Sequence, residues 1–174
     1  MSQKYCFSVL FSVLARNTLA SVIVKKADVS ELQALRSVFV LAIEETGSVY
    51  TVSQRAAWVS GGAGIGFWEE LLRLEHVAVA YELDQLCGFA SMNQRGDLSM
   101  LYVHPDFQRK GVGARLIQHI VEHATEEGYA HLRADASVFL KPLLLKLGFE
   151  LIEEYQKEVR GQKFNNAILM RDLI

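Results

Sequence analysis

Met100-Leu-Tyr-Val-His-Pro-Asp-Phe-Gln-Arg-Lys-Gly-Val-Gly-Ala-Arg-Leu116 is the stretch on which the fold of this chain turns. With Asp97 to Ser99 before it, its first part reads as a strand that ends at His104-Pro105, because proline has no N–H with which to extend a ladder. Past Gly111 the period changes. Val112, Leu116, Ile117, Ile120, Val121 and Ala124 share one face of a helix that Gly128 stops. Between the two lies Gln108-Arg-Lys-Gly-Val-Gly-Ala114. Glycines at a helix start let a ligand approach the backbone, and the unpaired N–H groups there favour an anion. Arg109 and Lys110 add positive charge at the same spot. Two readings follow: a pyrophosphate loop, or a plain helix start with solvated basic residues.

The commoner phosphate loops are excluded. A dinucleotide fingerprint needs a third glycine where Leu116 stands, and G-x-x-x-x-G-K-[ST] is absent. Around the loop the chain alternates strands and helices. Val22 and Val24 suggest a first strand, and Asp28 or Ser30 caps a helix to about Glu45 with Leu32, Leu35, Phe39 and Ile43 on one face. A glycine-rich stretch, 61–66, breaks the second helical region between 54–59 and 67–74. Residues 76–82 and 86–92 read as a hairpin, and 97–103 as the fourth strand. Then come a short strand over 130–134, a helix over 137–147 closed by Gly148, and a hairpin of 149–159 with 164–172 turned at Gly161. The order β-α-α-β-β-β-α-β-α-β-β predicts an α/β (α+β) fold, a mixed sheet of about seven strands flanked by about four helices.

Composition narrows the function classes. The 174 residues are 51% hydrophobic with a net charge of −2, which fits one folded domain over 21–174 and is the reverse of a disordered chain. No basic excess exists for charge-driven nucleic-acid binding. Cys6 and Cys87 build neither a disulfide framework nor a zinc ribbon, which favours a reducing cytoplasm. The apolar segment 1–20 stands apart. Its run from Tyr5 to Ala15 is too short for a bilayer, which needs roughly twenty residues. It reads either as an element that packs on the domain or a partner, or as a targeting remnant.

The quoted stretch resembles the acyl-CoA loop of the GNAT superfamily of N-acetyltransferases. The likeness extends over about 21–172, since the element order matches, as do Lys146-Leu-Gly-Phe149 and Leu169-Met-Arg-Asp172. Tyr50-Thr-Val-Ser-Gln-Arg-Ala-Ala-Trp58 is similar to a segment lining the acceptor side in one bacterial branch. The resemblance implies a mostly antiparallel sheet and acetyl-CoA as co-substrate. It implies that N–H groups of Arg109, Lys110, Gly111, Val112, Gly113 and Ala114 hold the pyrophosphate and that Gln108 orients the loop. Leu101 and Val103 would pair with the pantetheine arm where the fourth and fifth strands part. Ser137 stands where relatives carry an Asn that contacts this arm; its other reading is a helix N-cap.

Transfer to an amine needs a neutral nucleophile. A lysine-like ammonium costs about 4–5 kcal/mol to neutralise at pH 7, so a base is useful. Asp97 is the first candidate, standing six residues before Val103 where some relatives carry a Glu base. Period-two alternation puts it on one face with Ser99, Leu101 and Val103; its other reading is a solvated turn carboxylate. Asp135 is the second candidate, as a base, an ammonium anchor or a turn residue. A backbone N–H near Leu101 or Tyr102 serves as oxyanion donor. The family's usual general acid is missing, because Leu143-Leu144 replaces Phe-Tyr; Tyr102 and Tyr50 are the substitutes. Tyr50, Trp58, Trp68 and Glu44-Glu45 are acceptor-side candidates, with core or surface as the alternative. His119-Ile-Val-Glu-His123 matches a zinc pattern, but the helix is already assigned to packing and no metal is expected. The expected partners are acetyl-CoA and an amine-bearing acceptor, without nucleic acid or membrane, and with a homodimer left open. The rival function is a non-catalytic acyl-CoA sensor.

Overall fold

The computed structural model describes residues 22–174, so the expectation for 1–20 lies outside the described residues. Its regular elements are β1 (Val22–Lys26), α1 (Leu32–Glu44), α2 (Val52–Val59), α3 (Ile65–Leu74), β2 (His76–Glu82), β3 (Gln85–Met92), β4 (Asp97–Val103), α4 (Val112–Glu126), β5 (His131–Ser137), α5 (Lys141–Lys146), β6 (Glu150–Val159) and β7 (Gln162–Asp172). One seven-stranded sheet takes the order β1-β2-β3-β4-β5-β7-β6. All neighbours are antiparallel except β4 and β5.

Local chemistry sets the boundaries. Asp28 caps a 3₁₀ turn, Val29–Glu31, in a capping box with Glu31, and α1 continues from it. Thr51 and Gln54 form a second box at α2. Each box satisfies two N–H groups that a helix start leaves free. Among the described residues the helices number five, since a 3₁₀ turn at Ser60–Gly62 and the Gly64 cap divide the second helical region into α2 and α3, as the glycine-rich stretch predicts. A correction concerns β5. It continues to Ser137, and the helix expected from there is the six-residue α5, so Ser137 ends a strand and does not cap a helix. Pairing with β7 through Ser137 and Asn166 supplies the ladder that holds this extension.

The sheet has a core on each face. Leu116, Ile117, Ile120 and Ala124 of α4 pack with Leu144 of α5 on Ala78, Ala90, Leu132 and Ala134. On the other face, Leu35, Phe39 and Ile43 of α1 and Trp68 and Leu71 of α3 cover Val77, Val79 and Phe89. Small sheet residues under α4 let the helix sit close. Trp68 is fully buried with its indole N–H on the Gly62 carbonyl at 2.9 Å, which makes it a core residue and not an acceptor wall.

β4 departs from simple alternation. Ser91 pairs with Met100 and Met92 with Leu98, so Ser99 is an extra residue in the strand. Such a bulge reverses the facing of everything before it. Leu98, Leu101 and Val103 therefore pack together toward α4, whereas Met100 and Tyr102 pack toward α1. The expected common face of Asp97 with Leu101 and Val103 is corrected: the bulge removes Asp97 from it.

The helical histidines meet a third. His76 of β2 stacks on His123 with ring centroids 3.6 Å apart and on His119 at 5.6 Å. Imidazole lone pairs lie in the ring plane, so near-parallel stacked rings do not aim them at a common ion. Among the described residues no group of three or more His, Cys, Asp or Glu is arranged to hold a metal. Burial, then the charges of His123, His119 and Lys26, depress the His76 pKa to about 4. A base with a depressed pKa gives stability that is complete above its ordinary value of about 6.5 and is lost as pH falls toward 4. The thermal midpoint should therefore decline between pH 6.5 and 4.5, and His76→Gln should flatten that decline in differential scanning fluorimetry; identical pH profiles would contradict the assignment.

Candidate active site

The candidate site is a gap in the sheet. β4 and β5 pair only at Asp97 with Arg133 and Leu98 with Ala134, and beyond this point no ladder joins them. The gap is lined on one side by the backbone of β4. His104 donates its N–H to Cys87 of β3 at 2.8 Å. Because backbone groups alternate sides along an antiparallel strand, the N–H and C=O groups of Val103 and Leu101 point the other way, into the gap. The same alternation sends the Tyr102 N–H to β3. Of the two expected oxyanion donors, only the Leu101 N–H thus faces the gap.

The open end of the gap meets the loop before α4. His104, Pro105 and Asp106 enter a 3₁₀ turn whose Phe107 is buried. The Gln108 side chain then donates to the Val103 carbonyl at 3.2 Å and ties the loop to β4. Arg109 and Gly111 both have positive φ, 59° and 82°, with Lys110 between them in an ordinary conformation. Alternation of this kind turns successive N–H groups toward one side and forms a concave anion site. A non-glycine residue in this region costs on the order of 1 kcal/mol, so the Arg109 conformation is a local strain held by its surroundings. Gly111 is the N-cap of α4, and no side chain caps the helix. The N–H groups from Val112 to Ala114 are left for an external acceptor. At Gly113 an added Cβ would stand 3.1 Å from Leu143 and 3.7–3.8 Å from Val103 and Leu101, so this glycine keeps the mouth of the gap narrow and passable.

β5 forms the other wall. Asp135 lies one residue beyond the last β4 pair and receives bonds from Asn166 Nδ2 at 2.7 Å, Tyr155 Oη at 2.8 Å and Lys157 Nζ at 2.6 Å. Burial opposes its charge, but these three donors prevail and hold its carboxyl below the usual range. Beside Ser137 the surface opens into a cavity of about 360 Å³ lined also by Val138, Lys141, Tyr155, Asn165 and Asn166. The Ser137 hydroxyl accepts from the Leu140 N–H at 3.4 Å and also lies against the Tyr50 hydroxyl.

Aromatic side chains cover the gap from the α2 side. Trp58 donates its indole N–H to the Tyr102 hydroxyl at 2.8 Å and meets Phe164 edge to face at 4.8 Å. Tyr50 packs on Phe139 and Phe164 at 5.3 and 5.2 Å. Lys157 lies 5.9 Å from the Trp58 ring while bound to Asp135, which joins the aromatic and charged parts of the site. Burial raises Tyr102 to about 12, so its hydroxyl stays protonated beneath the Phe39 and Phe89 rings. The Glu44-Glu45 pair is exposed, and Glu44 pairs with Arg55 at 3.4 Å.

The sequence-derived residues thus converge unequally. Leu101, Val103, the 108–114 loop, Ser137, Asp135, Tyr50 and Trp58 surround one gap. Asp97 sits at its closed end, bound by Asn93 at 3.1 Å, Arg95 at 3.2 Å and Arg133 at 3.5 Å, and acts there as a clamp on the β4 to β5 junction. Tyr155, Lys157 and Asn166 escaped the sequence reading. Asn166 carried a usable signal, being a polar residue at period two with Phe164, Ile168 and Met170; Lys157 carried none.

A family model described as an acetyltransferase (GNAT) domain matches residues 68–166. An uncharacterized N-acetyltransferase, YafP of Escherichia coli K12, is 31% identical over 137 residues, 78% of this chain and 86% of that protein. A GCN5-related N-acetyltransferase from Rhodopseudomonas palustris superposes with a TM-score of 0.83 at 25% identity, over 88% of this chain and 96% of that one. The PaiA N-acetyltransferase of Thermoplasma acidophilum, solved in complex with coenzyme A, shares the fold with a TM-score of 0.73 at 15% identity, over 87% and 99% of the two chains. Strands that part beside an uncapped glycine-bearing helix start, together with these likenesses, place the chain in the GNAT family of N-acetyltransferases.

Proposed function

We propose that this enzyme transfers an acetyl group from acetyl-CoA to a primary amine of an acceptor bound on the α2 side of the gap. The observation that carries this reading is the sheet gap ending at the concave loop 108–114. Its fit to the co-substrate is chemical. The loop offers several N–H groups, the positive end of α4 and two basic side chains, which suit a pyrophosphate. The backbone edge at Leu101 and the Val103 N–H, with the Val103 carbonyl already tied to Gln108, suits the amides of a pantetheine arm, which then takes the place of a missing strand. Ser137 faces the same arm from β5.

Catalysis follows from what the walls present. The Leu101 N–H polarises the thioester carbonyl and receives the charge of the tetrahedral intermediate. Asp135 faces the incoming amine and is held ionised by three donors, so it orients the amine and relays its proton through water. Its low proton affinity makes it an anchor first and a base second. Tyr50 and Trp58 wall the acceptor, while Asp97 keeps the strands joined at the closed end. The protein acts in the cytoplasm on this reading, and a homodimer through the closing hairpin or the first helix remains part of the proposal.

The sensor alternative rests on Leu144, which replaces the family's acid and is fully buried against the α4 core. Thiol release across a panel of primary amines separates the readings: a transferase turns over at least one of them, whereas a sensor binds acetyl-CoA and releases no thiol. Gly111→Asp should weaken acetyl-CoA binding by about tenfold or more in calorimetry, because a carboxylate then faces the pyrophosphate. Unchanged affinity would refute the loop assignment. Asp135→Asn should lower the rate with the best amine about tenfold or more, while Asp97→Asn should act mainly on the thermal midpoint; the reverse pattern would return the catalytic role to Asp97.

A further inference from the structure

The lysine beside Asp135 has no part in the steps described so far. Lys157 pairs in the β6 to β7 ladder with Phe164, whose ring meets Trp58 edge to face, so it stands on the acceptor side of the gap. Its side chain is 36% exposed, with Nζ 2.6 Å from Asp135 Oδ2 and 5.9 Å from the Trp58 ring. A lysine ammonium carries three N–H donors. Asp135 takes one, and among the described residues Nζ has no other polar partner. The remaining donors are left for solvent or a ligand.

Asp135 does not depend on this lysine for its orientation. Asn166 Nδ2 holds one carboxylate oxygen at 2.7 Å and Tyr155 Oη the other at 2.8 Å. What Lys157 changes is the charge. A bare carboxylate would hold an incoming amine as its unreactive ammonium, whereas a carboxylate cancelled by Lys157 lets the amine shed its proton. Elsewhere on this side Glu44 is matched by Arg55, and Arg160, further along the hairpin, rests on the Ala57 carbonyl of α2 at 3.4 Å. A purely cationic acceptor therefore meets a cancelled carboxylate flanked by Lys157 and Arg160, an arrangement that repels it.

The chemistry that fits is the reverse dipole. In an α-amino acid one carbon bears both the amine and the carboxylate, so the two groups stand side by side, as Asp135 and Lys157 do with opposite signs. We infer that the acceptor is an α-amino acid with an apolar side chain, its amine bound by Asp135 and its carboxylate by Lys157, an assignment of substrate class that rests on the acetyl-transfer reading above. The apolar body has surfaces to meet: the Trp58 ring, and Phe139, which is 44% exposed where it packs on Tyr50. Once the amine is neutral, the bound acceptor carries only its negative charge, and Lys157 retains it.

Matched acceptors test this by thiol release at saturating acetyl-CoA: phenylalanine against phenethylamine, and leucine against isoamylamine, each pair differing only in the carboxylate. In the wild type, kcat/KM for the amino acid should exceed that for its decarboxylated partner by about tenfold or more, mostly through KM. Lys157→Gln should lower the value for the amino acid about tenfold and raise that for the bare amine about threefold, while Lys157→Arg keeps the preference. A lysine that only supports the fold would lower both substrates together, and that result overturns the inference. So does a wild type that turns over the bare amines, or spermidine, as well as the amino acids; the transferase reading then stands. A protein that binds acetyl-CoA and releases no thiol with any primary amine removes the underlying reading, and this inference with it.

Discussion

Two parallel strands that share only two residue pairs are the constraint on which the rest of this molecule depends. A sheet interior ordinarily satisfies every N–H and C=O, yet here the β4 edge facing β5 is open beside Leu101 and Val103. The opening is kept by construction on both sides. β4 is held to β3 with a bulge at Ser99 and β5 to β7 from His131 to Ser137, so each strand is anchored to its outer neighbour while their inner edges share only two pairs. Asp97 with Arg133 and Arg95 holds the closed end. The crossover from β4 to β5 begins at the open end, which brings the positive start of α4 to the mouth of the gap without any added element.

Charge is organised locally around that opening. The net charge of −2 conceals a basic loop at one end and a neutralised carboxylate at the other. Asp135 carries its own lysine, so the site presents a paired dipole beside aromatic rings instead of a bare negative charge. On the proposed reading, an incoming ammonium competes with Lys157 or shares the carboxylate with it. This favours acceptors that bring apolar surface to Trp58 and Tyr50 along with the amine, because charge alone gains little where a cation already sits.

The legible part of the fold was the part written in local sequence. The helix period from Val112, the G-x-G start and the His104-Pro105 stop located the loop within a residue or two, since turn chemistry and capping act over a few positions. The apolar, β-rich runs 76–82 and 86–92 on either side of Asp84-Gln85 marked the hairpin for the same reason. Ser99 was not legible. A bulge leaves no mark in a short strand of mixed residues, and one extra residue reverses the facing of Asp97. β5 was read as too short because Asp135 and Ser137 resemble turn formers, and only their pairing with Ile168 and Asn166 of β7 keeps them extended. Contacts such as Lys157 with Asp135 and Trp58 with Tyr102 join positions 22 and 44 residues apart, where sequence spacing carries no geometric information.

The measurement closest to the central claim is amide hydrogen exchange of the full chain with and without acetyl-CoA. The account predicts slowed exchange in two places together, the β4 edge at Leu101 and Val103 and the loop from Arg109 to Ala114, with β2 and β3 unchanged. Protection confined to other elements, or none at saturating acetyl-CoA, would contradict the claim that the open strand edge and the helix start form one co-substrate site.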